Sequence, residues 1–193
     1  MTRHSCRRAT ILTGIAVLSL LLVALPAWGS TKAEKRKEVQ KVSQQTLSQL
    51  YKAQPSAKKA IANAAGYATF SNFGMKIFLA GTGTGSGMAV DSRTKKITYM
   101  KMVEVQAGLG IGIKKFRVIF VFDTQKALND FIHSGWEFGG QTTAAAKTGD
   151  QGAALAGAVS VAPGVWMYQL TDTGLAAEIT GKGTKYYKDS ELN

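Results

Sequence analysis

The stretch GTGTGSGMAV, residues 81–90, places glycine at 81, 83, 85 and 87, a spacing that could cradle a phosphate on backbone N–H groups. A dinucleotide fingerprint needs glycines at relative positions 1, 3 and 6. Counted from Gly81, Gly83 or Gly85, the sixth place holds Ser86, Met88 or Val90. A GxxxxGK[ST] loop fails too, because the only glycine followed directly by lysine is Gly181, and Ala176 stands where its first glycine belongs. Ser86 lies in TGSGM, where a nucleophile elbow would need glycine in place of Thr84 and Met88. His133 with Asp130 and Glu137 has the residue types of a metal site, but Gly135-Trp136 breaks the helix between them. His133 at a helix end instead suits the last carbonyls. Asp123 and Asp130 could work as paired carboxylates, yet both fit helix capping and a solvated face. No catalytic set assembles, and the reading is a non-enzymatic chain with no cofactor and no metal.

The elements that would position these residues begin with two helices. Residues 32–52 carry Val39, Val42, Leu47, Leu50 and Tyr51 near helical spacing, with charge crowded into the first half. Pro55-Ser56 punctuates the chain, and SAKKAIANAAG sets Ala57, Ala60, Ile61, Ala64 and Ala65 on a narrow face with Gly66 as the expected stop. From Tyr67 the period changes to two. YATF, KIFLAGTGTGSGMAVD and ITYMKMVEVQAGLGIGI read as strands, with SRTKK as a turn, and FRVIFVFD reads as a central strand covered on both faces. A further helix is expected at about 124–134, capped by Asp123 or Thr124 and ended by Gly135. WEFGGQTTAAAK, VWMYQLT and LAAEITGKGTKYYK complete the strands, the last two joined by a DTG turn. Helices first and strands later predict an α+β fold, with the N-terminal helices packed on a largely antiparallel, twisted sheet or partial barrel.

Strict alternation puts Gly81, Gly83, Gly85 and Gly87 on one strand face, and Gly108, Gly110 and Gly112 form a second bare face. Bare faces invite close approach. The preferred occupant is the alanine-faced helix at 57–65; the alternative is an acyl chain or other ligand.

Residues 1–29 read as a signal peptide. Arg3, Arg7 and Arg8 precede an apolar run of 15 residues, Ile11–Leu25, which is shorter than the roughly 20 that span a bilayer, and Ala27 and Gly29 suit cleavage after Gly29. A periplasmic or secreted single domain, 30–193, is expected. The single cysteine, Cys6, would leave with the leader, so no disulfide or thiolate ligand is expected. The whole chain carries a net charge of +12; without the three leader arginines, 21 basic residues face 12 acidic ones, a net +9. Such a balance favours a polyanionic partner, and export disfavours nucleic acid.

The blocks AAGYATFSNFG, GTGSGMAVD, VEVQAGLGIGIKKFRVIFVFDTQKALNDFIHSGWEFGG and VWMYQLTDTGLAAEITGKGTKYYKD, in that order, resemble the SYLF domain family, the lipid-binding or yeast-type actin-binding domain, from about residue 35 onward. The resemblance implies a binding module that meets lipid head groups through a basic surface and an amphipathic N-terminal segment. Carried over, the candidate lipid-binding residues are Lys35, Arg36, Lys37 and Lys41 on the first helix and Lys114, Lys115 and Arg117 at a strand; Lys58 and Lys59, off the alanine face of the second helix, join them as candidates. The partner so implied is an anionic phospholipid surface. Where the family has an FP pair, Phe70 is followed by Ser71, so the turn into the first strand is expected to differ. A structural or assembly protein for another envelope protein or polysaccharide is the alternative, with Trp136, Trp166, Tyr186 and Tyr187 as contact residues.

Overall fold

A computed structural model describes residues 30–77, 80–107, 112–138, 155–171, 174–175 and 183–193, with the backbone alone at 72–77, 80–83, 104–107, 112–116 and 138. The leader reading, Gly108, Gly110 and residues 139–154 lie outside the described residues. The order is α1 (Lys32–Ala53), α2 (Ala57–Asn63), β1 (Gly66–Ile77), β2 (Ala80–Asp91), β3 (Ile97–Ala107), β4 (Gly112–Phe122), α3 (Gln125–Ser134), β5 (Trp136–Phe138), β6 (Val159–Ala162), β7 (Val165–Thr171), β8 (Gly174–Leu175) and β9 (Thr184–Lys188). The strands form one curled, open antiparallel sheet in the order β5-β9-β3-β2-β1-β4-β7-β6, with β8 paired to β7. The fold is α+β with antiparallel pairing throughout, as the order of helices and strands predicts.

Local chemistry sets the ends of the elements. Thr31 caps α1 by accepting from Glu34 N, while the Glu34 carboxylate accepts from Thr31 N at 2.7 Å, a reciprocal capping box. Thr124 caps α3 by accepting from Ala127 N, and Asp123 instead accepts from the Trp166 indole at 2.8 Å. In the β2–β3 turn the Asp91 carboxylate accepts from the N–H groups of Arg93 and Thr94. Thr94 N–H foremost holds the Asp91 carboxyl below the usual carboxylate range; burial opposes it, and the Gln125 amide adds to the lowering.

Three boundaries differ from the sequence pattern. The run read as one strand from Lys76 to Asp91 is divided, because β1 ends at Ile77 and turns so that Ile77 faces Ala80. Phe78-Leu79 carries no turn signature, so periodicity ran straight through it. The long strand read from Ile97 to Ile113 is divided likewise, with β3 ending at Ala107 and β4 starting at Gly112. Gly66 does not stop α2; Ala64 closes that helix in an extended conformation, and Gly66 is already the first residue of β1. Its place admits no side chain, since a Cβ there would lie 2.6 Å from both Leu128 Cδ2 and the Val90 carbonyl. At Phe70-Ser71 β1 runs on without a turn. Ser71 keeps the N–H that a proline would lack, and it pairs on both sides, with Ser86 and with Arg117.

Alternate residues of the central strands build two cores. On one face Phe70, Met100, Met102, Val118, Phe120 and Phe122 pack with Leu128, Phe131 and Ile132 of α3. On the other, Ile119, Val121, Tyr168 and Leu170 receive Leu50 of α1 and Ala57, Ile61 and Ala64 around α2. β4 is therefore covered on both sides, as FRVIFVFD predicts. The glycine face has a different occupant from the one expected. The register places Gly87 beside Phe70 and Met100, and Gly85 beside Met102, all on the α3 face, while α2 packs on the opposite one. Their missing side chains are replaced by neighbours: a Cβ on Gly85 would meet Ser71 O and Met102, and one on Gly87 would meet Thr69 O and the Phe70 ring. Aromatic and thioether side chains from adjacent strands fill the gap, so neither the helix nor a ligand is needed at these two positions.

Candidate functional site

The basic residues singled out in the sequence do not form one patch. On α1, Lys37 and Lys41 stand one turn apart on the exposed side, with Lys52 further along it, and among the described residues none of them makes an ion pair. Lys58 and Lys59 are exposed on α2. Lys37 lies 16 residues before the end of α1, so about 24 Å of helix separates it from the α2 pair. Lys114 and Lys115 sit on β4 opposite Gly74 and Phe73, and their side chains lie outside the described residues. Among the described residues no helix is long and apolar enough to cross a membrane, and no cluster of His, Cys, Asp or Glu could hold a metal ion.

Arg36 has another task. Its Nε donates to the Leu192 carbonyl at 2.6 Å, and its guanidinium lies 5.4 Å from the centre of the Tyr99 ring. Lys32 donates to Asn193 O at 2.6 Å, Gln40 donates to the Tyr99 hydroxyl, and the Asn193 side chain bonds the Tyr99 backbone at both N and O. Leu192 fills the space between Met88, Val90 and Tyr99. Residues 189–193 thus strap the start of α1 to β3. Sequence reasoning offered Arg36 to a lipid because a charge run on a helix names no partner, and the partner here is more than 150 residues away.

The apolar side of α1 is turned to the sheet, where Leu47, Leu50 and Tyr51 pack and Val39 and Val42 line a cleft. Leu50 is fully buried, and Ser43 accepts from the Thr69 hydroxyl at 2.7 Å in a buried contact. What α1 offers outward is charge and amide, with no apolar face left to insert into a bilayer. The aromatics proposed for an assembly surface divide in the same way. Trp136 and Tyr186 belong to the aromatic cluster around Phe120, and Trp166 is half-buried over the second core.

A cleft of about 1050 Å³ lies between α1 and the sheet, lined by Lys35, Val39 and Val42 above and by Ser71, Thr84, Ser86, Lys101 and Arg117 below. At one end Lys101 contacts the buried Asp189 and the exposed Glu191, both at 3.4 Å. Burial pulls the Lys101 pKa down, but attraction to Asp189 and then Glu191 outweighs it and raises the pKa above the ordinary lysine value. At the other end Arg117 Nε is sealed from solvent and has no hydrogen-bond partner among the described residues. Sequence reasoning placed Arg117 in a cluster with Lys114 and Lys115 but missed Ser71, Ser86, Lys101 and Asp189. The polar alternation of Thr82, Thr84 and Ser86 was visible; which strands it would lie beside was not.

Residues 103–193 match the Ysc84 family, described as "Las17-binding protein actin regulator". Over 162 residues, 84% of the chain, the sequence is 32% identical to beta cell expansion factor A of Aeromonas veronii. The chain spans 60% of that relative's length.

Proposed function

We propose, from the premise that the chain belongs to the SYLF (Ysc84) family, that it is a non-enzymatic module which binds anionic phospholipid surfaces peripherally and reversibly. The observation that carries this reading is the exposed cation row of α1, Lys37, Lys41 and Lys52, which makes no ion pair among the described residues, with Lys58 and Lys59 as a second exposed pair on α2. Contact is electrostatic, since the apolar side of α1 is turned to the sheet. Each cation near a surface of anionic lipid contributes about 1 kcal/mol, and the attraction fades within a Debye length, about 8 Å at physiological salt. Five such residues suffice for a reversible association at low salt. An envelope location follows the leader reading and belongs to the same proposal, as does the +9 charge of the chain without residues 1–29.

Cosedimentation with phosphatidylglycerol or cardiolipin vesicles, against phosphatidylcholine, tests the reading at low and physiological salt. The chain should pellet with the anionic vesicles only, and less so as salt rises. Replacing Lys37, Lys41, Lys58 and Lys59 together with glutamine should remove roughly 4 kcal/mol of attraction and abolish pelleting. Undiminished pelleting of that variant would overturn the assignment to these residues.

A further inference from the structure

Five strands share one rung on the α1-facing side of the sheet. Pairing sets Arg117 of β4 beside Ser71 of β1, Ser71 beside Ser86 of β2, Ser86 beside Lys101 of β3, and Lys101 beside Tyr187 of β9. Strands lie about 4.8 Å apart, so roughly 14 Å separates Arg117 from Lys101 with two serines between them. Small residues at the middle of a rung leave space, and α1 roofs that space rather than filling it. Val39 and Val42 of α1 and Val103 of β3 wall the resulting cleft, whose volume is about 1050 Å³. Small-molecule sites commonly enclose about 300–1,000 Å³ between apolar walls and a few convergent polar groups.

The two ends of the rung differ in how their charge is met. Lys101 is held by Asp189 and Glu191, and the acidic Glu34 and Glu38 of early α1 line the same cleft. Arg117 makes no ion pair among the described residues, and its Nε is a shielded donor without an acceptor. The half-buried Arg117 lines the cleft as a cation with no counter-charge among the described residues, which suits an anionic guest. An anionic oxygen is the acceptor that a guanidinium holds best, and the Ser71 and Ser86 hydroxyls stand next to it along the rung. Beyond the serines Val39, Val42 and Val103 give an apolar stretch of wall, with Thr84 and Lys35 beside it.

From this arrangement we infer that the cleft is a binding site for one single-chain amphiphilic anion. Its phosphate or carboxylate head lies on Arg117 with Ser71 and Ser86, and its alkyl chain runs along Val39, Val42 and Val103. The site is distinct from the outward lysines, so it stands or falls separately from the surface reading.

Calorimetric titration of the purified chain with dodecyl phosphate, kept below its micelle concentration, tests the inference; inorganic phosphate and dodecanol serve as head-only and chain-only probes. Saturable one-to-one binding of dodecyl phosphate is expected, with each half-probe at least about tenfold weaker. Arg117→Gln should weaken binding about 10-fold to 100-fold. Ser86→Leu fills the cleft from an exposed position that the core does not need, and it should abolish binding even if the Arg117 variant folds poorly. The Lys37→Gln, Lys41→Gln, Lys58→Gln, Lys59→Gln protein should bind dodecyl phosphate as the wild type does, whatever happens to its vesicle binding. No saturable binding by the wild type, or unaltered affinity in the Ser86→Leu protein, would overturn the site. Equal affinity for inorganic phosphate would overturn its amphiphilic character.

Discussion

On the α3 side of the sheet Phe70, Phe120, Phe122, Phe131, Trp136 and Tyr186 touch ring to ring, whereas the α1 side of the same strands carries Thr69, Ser71, Ser86, Lys101 and Arg117. Adjacent residues of one strand therefore belong to opposite regimes. The α3 face is sealed by side chains that fill even the gaps at Gly85 and Gly87. The α1 face is closed at its two apolar patches and open between α1 and the Arg117–Lys101 rung. A sheet can thus concentrate its stability on one face and leave the other free to carry polar groups that stability alone would not select.

Phe120→Ala should give the largest effect, because Phe120 is fully buried against five other rings; a loss of about 3–5 kcal/mol in urea denaturation is expected. A much smaller loss would break the contrast between the faces. Next comes the apolar part of the α1 face, where burial pushes the Tyr168 phenol up to about 12. The unfolded chain ionises this group near pH 10 while the folded chain does not, so its contribution is full below pH 10 and is lost as pH rises towards about 12. That loss is of the order of 2 kcal/mol. Lys101, whose pKa is also raised, adds a loss of the same sign as pH climbs above the ordinary lysine range. Tyr168→Phe should flatten the alkaline decline seen by denaturation at pH 9 and 11.5, and a decline left intact would take it away from Tyr168 and leave it to Lys101 and to Tyr51 and Tyr67, whose phenols burial also raises. The smallest effect is expected at the polar boundary: Thr69→Val removes the bond to Ser43 and should cost about 1 kcal/mol in the same assay. A cost as large as that of Phe120→Ala would show that the α1 face is as tightly built as the other.

Much of the fold was legible because its signals are local. Helical spacing of Val39, Val42, Leu47, Leu50 and Tyr51 marked α1, Thr124 and Gly135 bracketed α3, and the β-branched and aromatic run 116–122 marked a strand buried on both faces. The glycine stretch was also readable as a strand rather than a phosphate loop. What occupies its bare face was not, since that depends on Phe70, 17 positions before Gly87, and on Met102, 17 positions after Gly85. The basic residues show the same limit: sequence named Arg36, Lys37 and Arg117 alike, and the fold separated them into a staple, a surface cation and a cleft donor.

By itself the sequence determined the kinds of element, their order, the absence of any assembled catalytic motif and the excess of positive charge, because period, caps and composition act over a few residues. Tertiary structure alone decided that Arg117, Ser71, Ser86 and Lys101 share a rung and that residues 189–193 hold α1 in place. Register brings together residues far apart in the chain, and nothing within either partner's neighbourhood encodes which residue the other strand will set beside it.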